Sequence, residues 1–289
     1  MLKFNDKKVY VTSIMLLLVA IFLWNQVLAQ PENENLIVNF YNVGQGDAIH
    51  IRGSNNQDIL IDGGPDSKII EKLDQNIPFQ DNTIELMILT HAHADHITGL
   101  VHVLNKYRVE QILYTDADYD SEVFSEWKRI IKEKSIQEKI AQYGQIIKFN
   151  KANLYILFPD ISYNGKQVKN LNNTSIVSKL VYGNSSFLFT GDAEKEEETI
   201  LVNKFEGSSV LDSDLLKIGH HGSNTATTKE FLAQVSPMYA VISAGKNNKF
   251  KHPHLETLSK ISDLDIKLFR TDEDDDVKCV LDGENIECN

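Results

Sequence analysis

The chain has 289 residues, 42% of them hydrophobic and 24% charged, a globular composition that excludes a disordered or fibrous protein. The formal net charge of −12 argues against broad electrostatic capture of nucleic acid, though cations bound at a site would add positive charge that this count omits. The length exceeds that of a usual single domain, yet α/β sandwiches reach it as one unit.

At the N-terminus, Lys3, Lys7 and Lys8 precede an apolar run from Val9 to Trp24, and Val27-Leu28-Ala29 resembles a cleavage site before Gln30. The run is shorter than the roughly 20 residues a full span needs. Residues 1–29 are therefore expected to be a cleaved signal peptide or, as the alternative, a membrane anchor formed by residues 9–28. Positive charge before the run holds that end in the cytoplasm, so both readings put a single domain, residues 30–289, outside it.

A polar linker, Pro31 to Asn35, leads to three expected strands at Leu36–Val43, Asp47–Arg52 and Asp58–Ile61, separated by Gly-rich turns. A helix over Ser67–Gln75 precedes the aliphatic strand Ile84–Thr90. Helical spacing returns at Asp95–Lys106, with Asp95 suited to capping its start. Strand Val109–Tyr114, a helix over Ser121–Gln142 and strand Leu154–Phe158 follow. Thr174–Tyr182 and Phe187–Thr190 read as a hairpin turning at Gly183-Asn184. A charged helix after Asp192, strand Leu215–Ile218, helix Thr228–Val235, strand Tyr239–Ser243, helix Leu255–Ser262 and strand Ile266–Phe269 complete the alternation. Two mixed sheets packed face to face with helices outside accommodate this order.

Both cysteines fall near the end of the sequence, around Asp282-Gly283-Glu284-Asn285. A tight turn there puts Cys279 opposite Cys288, close enough for a disulfide in an oxidising compartment.

The chemistry concentrates in His91-Ala92-His93-Ala94-Asp95-His96, at the end of an apolar strand. Alternate residues of an extended segment point the same way, so His91 and His93 can converge on one ion while Asp95 and His96 face a neighbouring position. Asp192, Gly219-His220-His221-Gly222 and His252-Pro253-His254 follow other strands, where loops carry chemistry on a rigid scaffold. His50 and His102 fit strand and helix patterns and read as surface or packed residues.

Several segments resemble the metallo-β-lactamase superfamily, an α/β fold built as an αββα four-layer sandwich. They are Asn42–Ala48, Leu60–Gly64, Leu89–His96, Asn172–Ser175, Phe189–Glu194, Leu216–Ser223, Asn248–His254 and Arg270–Asp274. The finer resemblance is to the ComEC-like branch, the hydrolase domain of competence (DNA-uptake) proteins, here expected in a stand-alone form. It implies one or two divalent ions, Zn²⁺ or Mn²⁺, held by His91, His93, Asp95, His96 and Asp192. His220 is the expected completing ligand, with His221, His252 and His254 nearby. Only His102 lies between His96 and Asp192, so the histidine that many superfamily members carry there is missing; Asn172-Asn173-Thr174-Ser175 stands in its place. One tighter and one weaker site are expected, with Mn²⁺ as an activator. Asn173, His221 and His254 are candidate donors to the developing charge, or proton-transfer groups.

The expected function is an exported metal-dependent hydrolase, a phosphodiesterase or nuclease with a phosphodiester substrate such as DNA. β-Lactam or lactone hydrolysis is the alternative enzyme reading, and a metal-stabilised envelope binding module is the non-enzymatic one.

Overall fold

The computed structural model describes residues 6–28 and 35–289, which form two units, one within 1–34 and one over 35–289. The first contains helix α1, Asp6–Leu28, which exposes Leu16, Phe22 and Trp24. Among the described residues no helix is long and apolar enough to cross a membrane. The cleavage site expected after Ala29 and most of the Pro31–Asn35 linker lie outside the described residues.

The second unit begins with β1 (Leu36–Phe40), β2 (Ile49–Arg52), β3 (Asp58–Ile61), α2 (Lys68–Asn76), β4 (Thr83–Ile88), α3 (Ala94–Lys106), β5 (Arg108–Tyr114), α4 (Glu122–Lys134) and β6 (Gln137–Ile140). It continues through β7 (Ile146–Phe149), β8 (Ala152–Phe158), β9 (Val177–Tyr182), β10 (Ser185–Phe189), α5 (Lys195–Lys204), β11 (Leu215–Lys217), α6 (Lys229–Val235) and β12 (Tyr239–Ile242). Helix α7 (Leu255–Ser262), β13 (Lys267–Arg270), α8 (Thr271–Asp274), β14 (Val277–Leu281) and β15 (Ile286–Cys288) close it.

One sheet runs β15-β14-β1-β2-β3-β4-β5-β6 and the other β13-β12-β11-β10-β9-β8-β7. Period-two alternation sorts their side chains into layers. Leu86 and Ile88 of β4 meet Phe187 and Phe189 of β10 in the core between the sheets. Met87 and Leu89 turn the other way, onto Ile97 and Leu100 of α3. On the second sheet Leu188 and Leu216 pack outward against Leu201, Phe231 and Ile261 of α5, α6 and α7. The outcome is the expected αββα sandwich.

Parallel pairing of β3, β4 and β5 in one sheet, and of β10, β11 and β12 in the other, carries the loops after β3, β4, β10, β11 and β12 to one region. Asp62, His91–His96, Asp192, His220, His221 and His252 sit on those loops, while Asp47 comes from the loop between β1 and β2 and Asn172 from the turn before β9.

Three local expectations need correction. The helix expected over Ser121–Gln142 stops at Lys134, because Ser135 is left-handed (φ 52°) and caps the helix with its N–H on Ile131 and Lys132. The following Gln137–Ile140 pairs in parallel with β5 as an edge strand. The strand expected from Thr174 starts at Val177, since Leu171–Thr174 form a 3-10 turn. Asp95 does not cap α3; His93 occupies that position and Asp95 lies in the first turn. The terminal hairpin has the expected register, Leu281 opposite Ile286, and Cys279 and Cys288 are joined in a disulfide.

Candidate metal centre

The loop after β4 delivers His91, His93, Asp95 and His96. His91 and His96 are fully buried with ring centroids 4.2 Å apart, and His91 Nε2 lies 3.0 Å from His93 Nδ1. Asp62, left-handed at the end of β3 (φ 57°), locks this loop. Its carboxylate accepts the Thr90 N–H at 2.8 Å, the Thr90 hydroxyl at 2.6 Å and the His96 Nδ1–H at 2.8 Å. The Nε2 of His96 is thereby turned inward.

Asp192 enters from the turn after β10, where Gly191 is left-handed (φ 51°) and the Asp192 N–H donates to Ser175 Oγ at 3.1 Å. Its Oδ2 lies 3.4 Å from His96 Nε2, 3.8 Å from His91 Nε2 and 3.3 Å from His221 Nε2. His221 Nε2 is also 3.3 Å from Asp95 Oδ2. Four triads, His91/His96/Asp192, Asp95/His96/His221, Asp47/Asp62/His96 and Asp47/Asp192/His221, bring their ligand atoms within 4.8 Å of one another.

His220 and His221 both adopt left-handed backbone (φ 46° and 53°), a strained pairing for non-glycine residues. That turn buries His221 and sends His220 to the rim. His221 Nδ1–H donates to the Ser243 carbonyl at 3.0 Å and lies 3.3 Å from Asp47 Oδ1. Asp47 in turn pairs with the fully buried Lys217 of β11 at 2.8 Å. His220 Nδ1 instead meets Glu194 at 2.9 Å, and its Nε2 is 4.0 Å from Asp192. Among the described residues His221 joins these triads, whereas His220, the expected completing ligand, stands at the rim outside them.

The other expected positions also shift. Asn173 donates to Glu196 at 2.6 Å, away from the cavity, whereas Asn172 lines it. His254 accepts the Asn224 N–H on Nδ1 at 2.9 Å and directs Nε2–H to the Phe250 carbonyl at 3.3 Å, so it braces a loop. His93 lines the cavity and contacts His91, but belongs to none of the four triads. The cavity, about 340 Å³, also reaches Gln45, Tyr119, Phe250 and His252. Asp47, Asp62, Glu194 and Lys217 were not singled out from spacing; the available signal was that all four lie in segments carrying the family resemblance.

Electrostatics reinforce the cluster. Burial alone would lower the His96 and His221 pKa values, but Asp192, with Asp62 beside His96 and Asp47 and Asp95 beside His221, holds both well above the ordinary value. Burial would raise the Asp192 pKa, yet facing His221 and His96 keep it well below the usual carboxylate range. Burial and then the positive charge on His96 push His91 far down.

Divalent cations fit this donor set. His96 Nε2, His221 Nε2 and Asp192 Oδ1 are buried without a hydrogen-bond partner, and such atoms are costly to leave unsatisfied. Imidazole and carboxylate without thiolate suit Zn²⁺ and Mn²⁺ alike.

Two packed sheets with such a cluster on one set of loops define a metal-dependent hydrolase. The chain belongs to the metallo-beta-lactamase superfamily, whose model matches residues 41–246. It is 29% identical over 253 residues to ComE operon protein 3 of Bacillus subtilis (strain 168), a match covering 82% of this chain and 32% of that protein. It is 44% identical over 101 residues to Competence protein ComA of Neisseria gonorrhoeae, covering 35% of this chain and 14% of that one. The chain thus resembles the ComEC-like branch while spanning a third or less of these relatives. The metallo-beta-lactamase fold protein YhfI from Bacillus subtilis shares the fold, with TM-score 0.53 at 11% identity over 81% of this chain and 95% of that one.

Proposed function

We propose that this chain is an exported metal-dependent phosphodiesterase whose substrate is nucleic acid. The observation that carries the reading is Asp192, whose Oδ2 stands between His96 and His221 at 3.4 and 3.3 Å, with Asp95 beyond His221. A carboxylate shared by two donor groups suits a pair of divalent cations, the arrangement common to phosphatases and nucleases. His91, His96 and Asp192 would hold one ion, and Asp95, His221 and the shared Asp192 offer the donors for another. Cations bound here would supply Lewis acidity and a water nucleophile at neutral pH.

The chain's own groups organise the rest. Asp62 and the Ser243 carbonyl each take the Nδ1 proton of a histidine, which leaves Nε2 of His96 and of His221 as the inward lone pair. Asn172 Nδ2 and His220 stand at the cavity wall, where either can donate to a charged phosphoryl oxygen. Mn²⁺ is the expected activator, because aspartates supply much of the donor set.

The likeness to proteins named for competence supports nucleic acid as substrate. Export is supported by the basic, then apolar, N-terminal pattern and by a disulfide, which persists in oxidising compartments. Residues 9–28 would either be removed or hold the enzyme on the membrane surface.

Purified full chain incubated with Mn²⁺ or Zn²⁺ against single- and double-stranded DNA, a small chromogenic phosphodiester, a β-lactam and a lactone tests the reading. Phosphodiester cleavage abolished by Asp192→Asn and by chelation is the expected result. Turnover confined to the lactam or the lactone would reject it.

A further inference from the structure

We infer that Gly245–His252 is a preformed platform that takes one unpaired nucleotide of a polyanionic strand, stacking its base on Phe250 and holding flanking phosphates with Lys246, Lys249 and Lys251. The inference rests on the phosphodiesterase reading and names how that substrate is held.

Charge is the first ground. In a chain of net charge −12, residues 246–251 carry three lysines and no acid, and all three lysines are exposed. This basic rim adjoins a cavity walled by Asp95 and Asp192, which would otherwise repel an anion. Phosphate contacts of this kind fix register without reading sequence.

The aromatic group is the second. Phe250 is 49% exposed and lines the cavity, so part of its ring is open to a ligand there. One side of its environment is His252, stacked at 5.7 Å between centroids and 22° between planes. Lys249 Nζ lies 4.9 Å from the same ring, so a cation and an aromatic surface are presented together. Every nucleobase offers a π-face to such a ring, but in a duplex that face is already stacked. The platform therefore suits a single strand.

Rigidity is the third. Asn248 sits at the hub of the loop: its Nδ2 donates to the carbonyls of Gly245 (2.9 Å) and His252 (2.5 Å), and its Oδ1 accepts the N–H groups of Phe250 (3.1 Å) and His252 (3.0 Å). His254 adds its bond to the Phe250 carbonyl. The ring is thus held in place before any ligand arrives, which reduces the ordering cost of binding.

Fluorescence anisotropy of the Mn²⁺-loaded full chain decides the matter. The probes are a short phosphorothioate oligothymidylate and an abasic strand of the same length and backbone. The wild type is expected to bind the base-bearing strand roughly tenfold tighter. Phe250→Ala should erase that preference and Phe250→Tyr should retain it. The triple variant Lys246→Ala, Lys249→Ala, Lys251→Ala should weaken both strands alike and flatten the log–log salt slope by about 2, with the base preference intact. Equal binding of the two strands by the wild type, binding of neither, or a preference surviving in Phe250→Ala would overturn the inference. Cleavage of the unmodified strand is scored separately. Discrimination without cleavage rejects the phosphodiesterase and keeps the platform, and cleavage without discrimination does the reverse.

Discussion

Lys217 Nζ lies 2.8 Å from Asp47 Oδ2 with both side chains buried, and the pair joins the second sheet to the loop between β1 and β2 of the first. Asp47 also faces His221, so a charge from one sheet orients a site residue of the other. Removing one member of a buried pair strands the other charge, at a cost of about 3–5 kcal/mol. Lys217→Met is therefore expected to lower stability by that order in chemical denaturation. Lys217→Met with Asp47→Asn should recover much of the loss; a double variant as unstable as the single one would contradict the pairing.

His221 and His220 should separate in metal affinity. His221→Ala is expected to weaken binding by more than about a hundredfold, beyond the 10–100-fold typical of outer partners. His220→Ala, which removes a group held by Glu194 at 2.9 Å, should stay within about tenfold. Isothermal titration with Mn²⁺ and Zn²⁺ reads both, and the reverse order would restore His220 as the ligand.

Metal uptake should release protons at neutral pH. His96 and His221 hold theirs above the ordinary value of 6.5 because aspartates face them, and an ion must displace these protons. Affinity is thus expected to rise with pH through the neutral range, with about one to two protons released per protein, measured by calorimetry in buffers of different ionisation heat. The sign for metal-free stability is opposite. Histidines with raised folded pKa values stabilise fully below 6.5, and that contribution is lost as pH climbs toward their folded values. Metal-free protein whose stability rises steadily from pH 6.5 to 9 would contradict this assignment.

The Cys279–Cys288 bridge closes a loop of sequence separation 9, for which chain-entropy arguments give about 2–3 kcal/mol. Replacing both cysteines by serine should lower stability by that order and leave metal affinity unchanged, since the hairpin lies at the sheet edge. Intact mass of protein recovered from the culture medium should lack two hydrogens relative to the dithiol.

Much of the architecture was legible because it is local. The aliphatic run of β4, the helical spacing of Ile97, Leu100 and Leu104 and the turn at Asp282–Asn285 are each readable within a few consecutive residues. The His91–His96 segment was legible for the same reason. The choice between His220 and His221 was not, because both residues are left-handed, and no spacing rule says which of the two imidazoles such a turn directs inward. Asn172 displaced Asn173 through the 3-10 turn, which no spacing rule anticipates. Strand β6 was read as helix because Ser135 stops α4 in the left-handed conformation that glycine or asparagine usually announces. Asp47, Asp62 and Lys217 act across the fold, so their roles exist only once the sheets have met.

The loop carrying Asp47 is wedged against both neighbours. A methyl group on Gly46 would fall 2.1 Å from the Asp95 carbonyl oxygen, and one on Gly245 would fall 2.7 Å from the Gln45 nitrogen. Three segments from opposite halves of the molecule therefore touch main chain to main chain, with no flexible side chain between them to absorb a displacement. The Gly245 loop and the Asp95 turn thus both abut one short stretch, Gln45-Gly46, where any side chain larger than hydrogen at either glycine would push the backbones apart.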